Sequence, residues 1–335
     1  VFVLEIDMEN SDRPFHTLEE QVNLLKGKGI IIQNEDYTKN ELMKRGYYSL
    51  INGYKNLFLK KNEHGVALIP HQYIIGIRFE DFVNLYEFDK KLRAILYNGL
   101  LSYEASLGAE LAYRFSESFP ENYSYLDINN FNHDEHNTVR VLKTTSSLAN
   151  KIEQESRKRG NNAIKHYLNH HDCIPLWVLT EFMTFGDLNY FYLNCKEEIR
   201  QKISRDFTQR YKITYNLSQT NAIMPEIIEH INHMVNMFRN AVAHNEITYS
   251  KVIDRGPNMR SIKNVLGQSE LPIQSQPGVF ELIISLRLVL DRTEYVTMSD
   301  SIKKLLTNAN NQFNSQINEK ILKCMHFPND YEYWI

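Results

Sequence analysis

The stretch Met234-Val-Asn-Met-Phe-Arg-Asn-Ala-Val-Ala-His244-Asn-Glu246 decides how the chain is read. Ile231, Met234, Val235, Phe238 and Val242 recur at three- and four-residue spacing, the apolar stripe of an amphipathic helix. Asn240 and His244 fall on the face opposite that stripe, one turn apart, so their side chains are neighbours. Arg239 lies at the stripe's edge, about 140° round the axis from His244. One ideal helix therefore does not bring Arg239 to His244. Either the long Arg side chain reaches round, or the helix ends here, or the partner comes from another chain. Pro225 suits a first helical position. Glu246-Ile-Thr-Tyr-Ser250 reads as extended, which predicts a helix end near His244 that exposes all three polar residues.

Their chemistry is specific in kind. Histidine titrates near neutrality and serves as acid or base. Arginine is always charged, and its fork matches phosphate oxygens. Asparagine can orient an imidazole or donate to a phosphate. Arg239, Asn240 and His244 together suit cleavage of RNA by its own 2′-OH, a reaction that needs no metal. The same three residues also describe a solvated helix face, and the pattern alone leaves both readings open.

Composition bounds the rest. A chain of 335 residues, 42% apolar and 24% charged, can bury a sizeable core. Only 13 Gly and 9 Pro interrupt it, which favours helices over a many-stranded sheet. The net charge of −3 gives no bulk support to nucleic-acid binding, so an RNA surface must be a local patch. The 20 Tyr and 17 Phe can stack on bases but more often fill a core. Three cysteines far apart form no disulfide framework, and a cytoplasmic location is expected. No apolar run reaches the roughly 18 residues of a membrane span, and Val1–Asn10 lacks a basic signal-peptide start.

Along the chain, residues 1–15 read as an extended lead-in. Thr17 caps a first helix, and Asn34 or Asp36 starts a second that runs to Gly46. Tyr47 to Tyr54 reads as a packed aromatic helix, and residues 60–78 as a connector able to hold a short strand pair. Residues 79–114 form one long bent helix or two. Glu104, inside that apolar surround, either orients the His or Arg of the site or is a locally paired helix charge. Residues 116–134 and 251–276 are the candidate loop insertions. Residues 136–159 read as a polar helix with Val139, Leu142, Ser146 and Ile152 inward. Lys151, Arg157, Lys158, Arg159 and Lys165 make the clearest basic patch, able to track a phosphate backbone or to cap a solvated helix end. Arg159 and His166 form a rival Arg–His pair across the break at Gly160-Asn-Asn162. Residues 175–185 read as a buried helix around Trp177, 190–207 as a helix, 210–224 as loop and 279–290 as a buried helix. A last helix runs from a Ser299 cap to about residue 322. His133 and His136 lack a third ligand, so neither a metal nor a cofactor is expected.

The wording Phe238-Arg-Asn-Ala-Val-Ala-His-Asn245 resembles the signature of the HEPN superfamily of RNases. Four further stretches resemble its Abi-like (AbiD/AbiF) abortive-infection branch: Arg13-Pro-Phe-His-Thr-Leu-Glu-Glu-Gln-Val-Asn-Leu-Leu25, Leu85-Tyr-Glu-Phe-Asp-Lys-Lys-Leu-Arg93, Ile174-Pro-Leu-Trp-Val-Leu-Thr-Glu-Phe-Met-Thr-Phe-Gly186 and Met325-His-Phe-Pro328. They occur in the expected order over nearly the whole chain. Asn245 and Glu246 depart from the second His and basic residue that the resemblance leads one to expect. The resemblance implies an all-α fold, with an N-terminal helical segment (1–75) and a HEPN-like helical core (76–335). It implies a metal-independent endoribonuclease of phage defence, working as a homodimer with two motifs face to face. In that role His244 is general acid or base, Arg239 the phosphate clamp and Asn240 the orienting residue. RNA is the expected partner, as substrate and as a small noncoding RNA acting in the manner of a guide or antitoxin; DNA and membrane are not expected. The alternatives are a non-catalytic RNA-binding partner of such an RNA and a helical defence-signalling scaffold.

Overall fold

The computed structural model describes residues 15–69, 71–254, 256 and 258–335. Residues 1–14 of the expected lead-in, which include Arg13 and Pro14 of the quoted stretch, lie outside them. The described residues hold fifteen α-helices and no strand, only isolated β-bridges, so the protein is all-α. No helix among them is long and apolar enough to cross a membrane. The chain divides into two compact units, residues 1–88 with 312–317, and residues 89–311 with 318–335.

In the first unit, α1 (Leu18–Gly27) opens on a reciprocal capping box between Thr17 and Glu20. Asn34, not Asp36, caps α2 (Glu35–Arg45), its side chain accepting from the Tyr37 amide. A π-helical turn, Tyr48–Asn52, leads into α3 (Gly53–Phe58). The connector is tied by isolated bridges, Leu59 to Tyr73 and Lys61 to Ala67, rather than by strands. Phe82 packs against Phe58 in a tilted arrangement and against Tyr73 edge to face, with ring centroids 4.5 and 5.8 Å apart.

Residues 79–114 belong to one helix, α4 (Phe79–Ser118), of 40 residues. In the second unit its inward face reads Leu92, Leu96, Leu100, Tyr103, Leu107, Leu111 and Phe115, all fully buried. The remaining helices are α5 (Thr138–Arg157), α6 (Ala163–His170), α7 (Leu176–Leu179), α8 (Phe185–Asn194), α9 (Glu197–Thr214), α10 (Pro225–Ala243), α11 (Met259–Leu266), α12 (Val279–Leu286), α13 (Arg292–Gln312), α14 (Ser315–Cys324) and α15 (Tyr331–Trp334). The stripe of α10 is buried as its spacing predicts, and α12 is buried on every side. Each such side chain contributes about 1.5–3 kcal/mol of burial. One polar tie between α4 and α10 is a hydrogen bond from the Tyr103 hydroxyl to Asn232 Oδ1, 2.6 Å long and buried.

Several elements differ from expectation, each for a local reason. Helix α5 buries Val141, Thr144, Thr145 and Leu148, while Val139 and Leu142 stand 63% and 48% exposed. Two threonines thus face inward: Thr145 donates to the Val141 carbonyl, and Thr144 accepts from Asn194 Nδ2. Trp177 is 58% exposed, because α7 is a single turn followed by a 3-10 turn. The helix expected over 190–207 is split at Cys195–Lys196 between α8 and α9, and α9 continues to Thr214 into the expected loop. The 251–276 loop contains α11. Ser299 caps nothing: it is buried within α13, whose start is fixed by Asp291 accepting from the Glu294 amide. Asn314 accepts from the Ile317 amide and opens α14 as a separate helix.

Candidate functional site

Helix α10 begins at Pro225 and ends where the sequence turns polar. Asn245 adopts φ 56°, a left-handed conformation. Its amide donates to the Val242 carbonyl and that of Glu246 to Ala241, a Schellman closure. Asparagine tolerates this conformation better than most residues, because its short polar side chain can bond locally. The departure at Asn245 therefore has a structural job, helix termination.

The closure leaves His244 as the C-cap, exposed, with Asn240 exposed one turn before it. Among the described residues neither side chain has a hydrogen-bond partner. Arg239 is held apart from them. Its Nε–H donates to Glu104 Oε2 of α4 at 3.2 Å, with the two side chains 23% and 13% exposed. Of the two sequence alternatives for Glu104, the structure shows a long-range partner for the motif arginine. Among the described residues, neither terminal NH2 group of the guanidinium has a hydrogen-bond acceptor. No hydrogen bond or ion pair joins Arg239 to His244 within the chain.

The segment after the helix is anchored by residues to which the sequence reading gave no role. Asp89, fully buried on α4, accepts from the Thr248 amide at 3.1 Å and the Tyr249 amide at 2.7 Å. It also pairs with Arg93, one turn along and 6% exposed, which in turn donates to the Glu246 carbonyl at 3.3 Å. The signal was present in the quoted stretch Leu85 to Arg93: opposite charges four apart amid Phe88 and Leu92, a pair that must be satisfied internally if buried. The other end of the same unit is fixed similarly. Buried Glu281 accepts from the Gly278 and Gln274 amides and faces His326 Nδ1 at 3.0 Å, which gives the Met325–Pro328 stretch its role.

Two of the five residues of the basic patch are paired with carboxylates. Arg157 pairs with Glu153 and Lys158 with Glu155, while Lys165 Nζ donates to the carbonyls of Lys158 and Gly160 at the end of α5. Arg159 is exposed and Lys151 half-buried. Gly160 at φ 85° and the Asn162 cap separate α5 from α6, so Arg159 and His166 stand on either side of a break. The His166 ring lies against His170 and His171, with centroids 5.1 and 5.4 Å away. Cys195 is buried, and desolvation pushes its thiol pKa far up, so it is an inert core residue.

Fold and site together define an all-α protein with an exposed His–Asn pair at the end of a helix whose apolar stripe is buried, and an arginine on the same helix tethered by a carboxylate. The chain belongs to the Abi-like protein family, whose model matches residues 40–250, more than half of its length. That membership supports a role in abortive infection. Comparison with the curated proteins and with solved structures gave no match.

Proposed function

We propose that the protein is an endoribonuclease of the HEPN type acting in phage defence, cutting RNA through attack of its own 2′-OH without a metal. His244 takes the 2′-OH proton or protonates the leaving 5′ oxygen. The terminal NH2 groups of Arg239 clamp the phosphate as charge develops on the phosphorane. Asn240 orients the imidazole or donates to the phosphate, and Glu104 holds the guanidinium in place. Arg239 and His244 do not meet within one chain, so the reading includes a homodimer in which two motifs face each other. A small noncoding RNA associated with the protein restrains or directs the activity. The observation that carries the reading is the unpartnered, exposed pair Asn240 and His244 at a closed helix end.

The test is incubation of purified wild type and His244→Ala with total RNA in EDTA. The expected result is cleavage by wild type alone, with unchanged folding of the variant, because His244 is not core. Equal cutting by both would remove His244 from the chemistry. A second reading, RNA held without cutting, draws on the ion pair that partly neutralises Arg239. It predicts that neither protein cuts while both carry a discrete RNA.

A further inference from the structure

A cleft of 410 Å³ lies between α5 and α8, lined by Arg140, Lys143, Ser147 and Tyr190, with Thr144 and buried Leu148 also in its wall. That volume falls in the range of small-ligand sites, about 300–1,000 Å³. We propose that this cleft binds a nucleotide, its phosphate on Arg140 and Lys143 and its base on Tyr190. For a free mononucleotide the proposal is independent of the ribonuclease reading; only for a nucleotide of an RNA strand does it rest on that reading.

Three features carry the assignment. First, Arg140 and Lys143 are exposed and have no ion-pair partner among the described residues, and they sit one turn apart on the same face of α5. Other arginines of the same unit are committed: Arg114 to Asp206, Arg200 to Glu229, Arg210 to Glu110, Arg157 to Glu153. Second, Tyr190 is 60% exposed and has no ring partner among the described residues, so one face of an aromatic ring is open to stacking. Third, the carboxylate in the wall is already satisfied. Asp187 accepts from the Thr184 amide and hydroxyl at 2.9 and 2.8 Å and from the Ser147 hydroxyl at 3.0 Å. Those bonds tie α8 to α5; Asp187 keeps its charge, and two cations against one carboxylate leave the lining net positive. Asn194 fixes the two helices further, donating to Thr144 Oγ1 at 2.8 Å. A guanidinium and an ammonium meet phosphate oxygens, and a solvated phenol ring meets any base. An acidic peptide would engage the cations but leave Tyr190 without a purpose.

The test uses the full chain and two probes, a fluorescein-labelled ten-nucleotide 2′-O-methyl oligoadenylate, which lacks the attacking 2′-OH, and AMP. Tyr190→Ala is expected to weaken binding by about tenfold or more, the range of one base stack, and Tyr190→Phe to keep it. The pair Arg140→Gln/Lys143→Gln is expected to weaken binding and flatten its salt dependence. Tyr190-dependent binding of AMP that the oligonucleotide does not displace identifies a free nucleotide as the source. Tyr190-dependent oligonucleotide binding that AMP does not displace identifies an RNA strand. Mutual displacement identifies one pocket open to both. The proposal is overturned if neither probe binds, or if all variants bind as wild type with unchanged circular dichroism. It is also overturned if inorganic phosphate displaces the probes while Tyr190→Ala has no effect, which marks a plain anion patch. Loss of His244-dependent cleavage as a finding, with Tyr190-dependent binding intact, would sink the ribonuclease reading and leave the pocket standing; the reverse pattern would do the opposite.

Discussion

Asp89→Asn is the sharpest probe of how the candidate site is held. The native carboxylate is fully buried and accepts from two backbone amides, of Thr248 and Tyr249, and from Arg93. Asparagine is nearly isosteric but uncharged, and one of its two terminal atoms becomes a donor facing donors. Arg93, 6% exposed, loses the charge of the carboxylate it pairs with. Removing one partner of a buried pair costs about 3–5 kcal/mol. At about 2–4 °C per kcal/mol for units of this size, the melting temperature should fall by about 6–20 °C. Thermal unfolding followed by circular dichroism at 222 nm reads this directly. The matched control is Glu153→Gln, whose partner Arg157 is 78% exposed; it should cost less than about 1 kcal/mol. A double variant, Asp89→Asn with Arg93→Met, should recover part of the loss by removing the buried guanidinium that has lost this carboxylate, though the two amides remain poorly matched. A melting temperature for Asp89→Asn within 2–3 °C of wild type, about 1 kcal/mol, would refute the reasoning. So would a double variant no more stable than the single one.

Other expectations follow from single contacts. Asn245→Gly should leave stability within a few tenths of a kcal/mol, whereas Asn245→Ala at φ 56° should cost about 1–2 kcal/mol, read by chemical denaturation. Tyr103→Phe removes the donor to Asn232 Oδ1 and leaves that buried acceptor unsatisfied, a loss of about 1–3 kcal/mol by the same assay. Thiol titration of the native protein should show Cys173 and Cys324 reacting before Cys195, whose burial keeps it protonated; equal rates for all three would contradict the packing at the end of α8. Glu104→Gln keeps an acceptor for Arg239 Nε but removes its counter-charge, so RNA binding should tighten, with a steeper salt dependence measured by filter binding; unchanged affinity and slope would mean that the carboxylate does not offset the guanidinium.

What was legible in the sequence was local and periodic. The scarcity of Gly and Pro and the three- and four-residue apolar spacing made the chain all-α, because helix periodicity is written in the side chains of each segment. Thr17, Asn34 and Pro225 marked helix starts, since a cap or a first-turn proline acts on its own backbone. The end of α10 near His244 was legible for the same reason. Tertiary structure decided the rest. The rotation of α5 about its axis depended on which neighbour it meets: Thr144 finds Asn194 across that contact, so threonines turn inward and Val139 is left outside. Asp89 and Arg93 gained their role only because residues 246–249 come back to them from more than 150 positions away. Glu104 could have been any paired helix charge until Arg239 was placed beside it. Spacing along a helix fixes which side chains share a face; which distant groups that face meets is set by packing, and both the tether on Arg239 and the cleft at Tyr190 arise from such meetings.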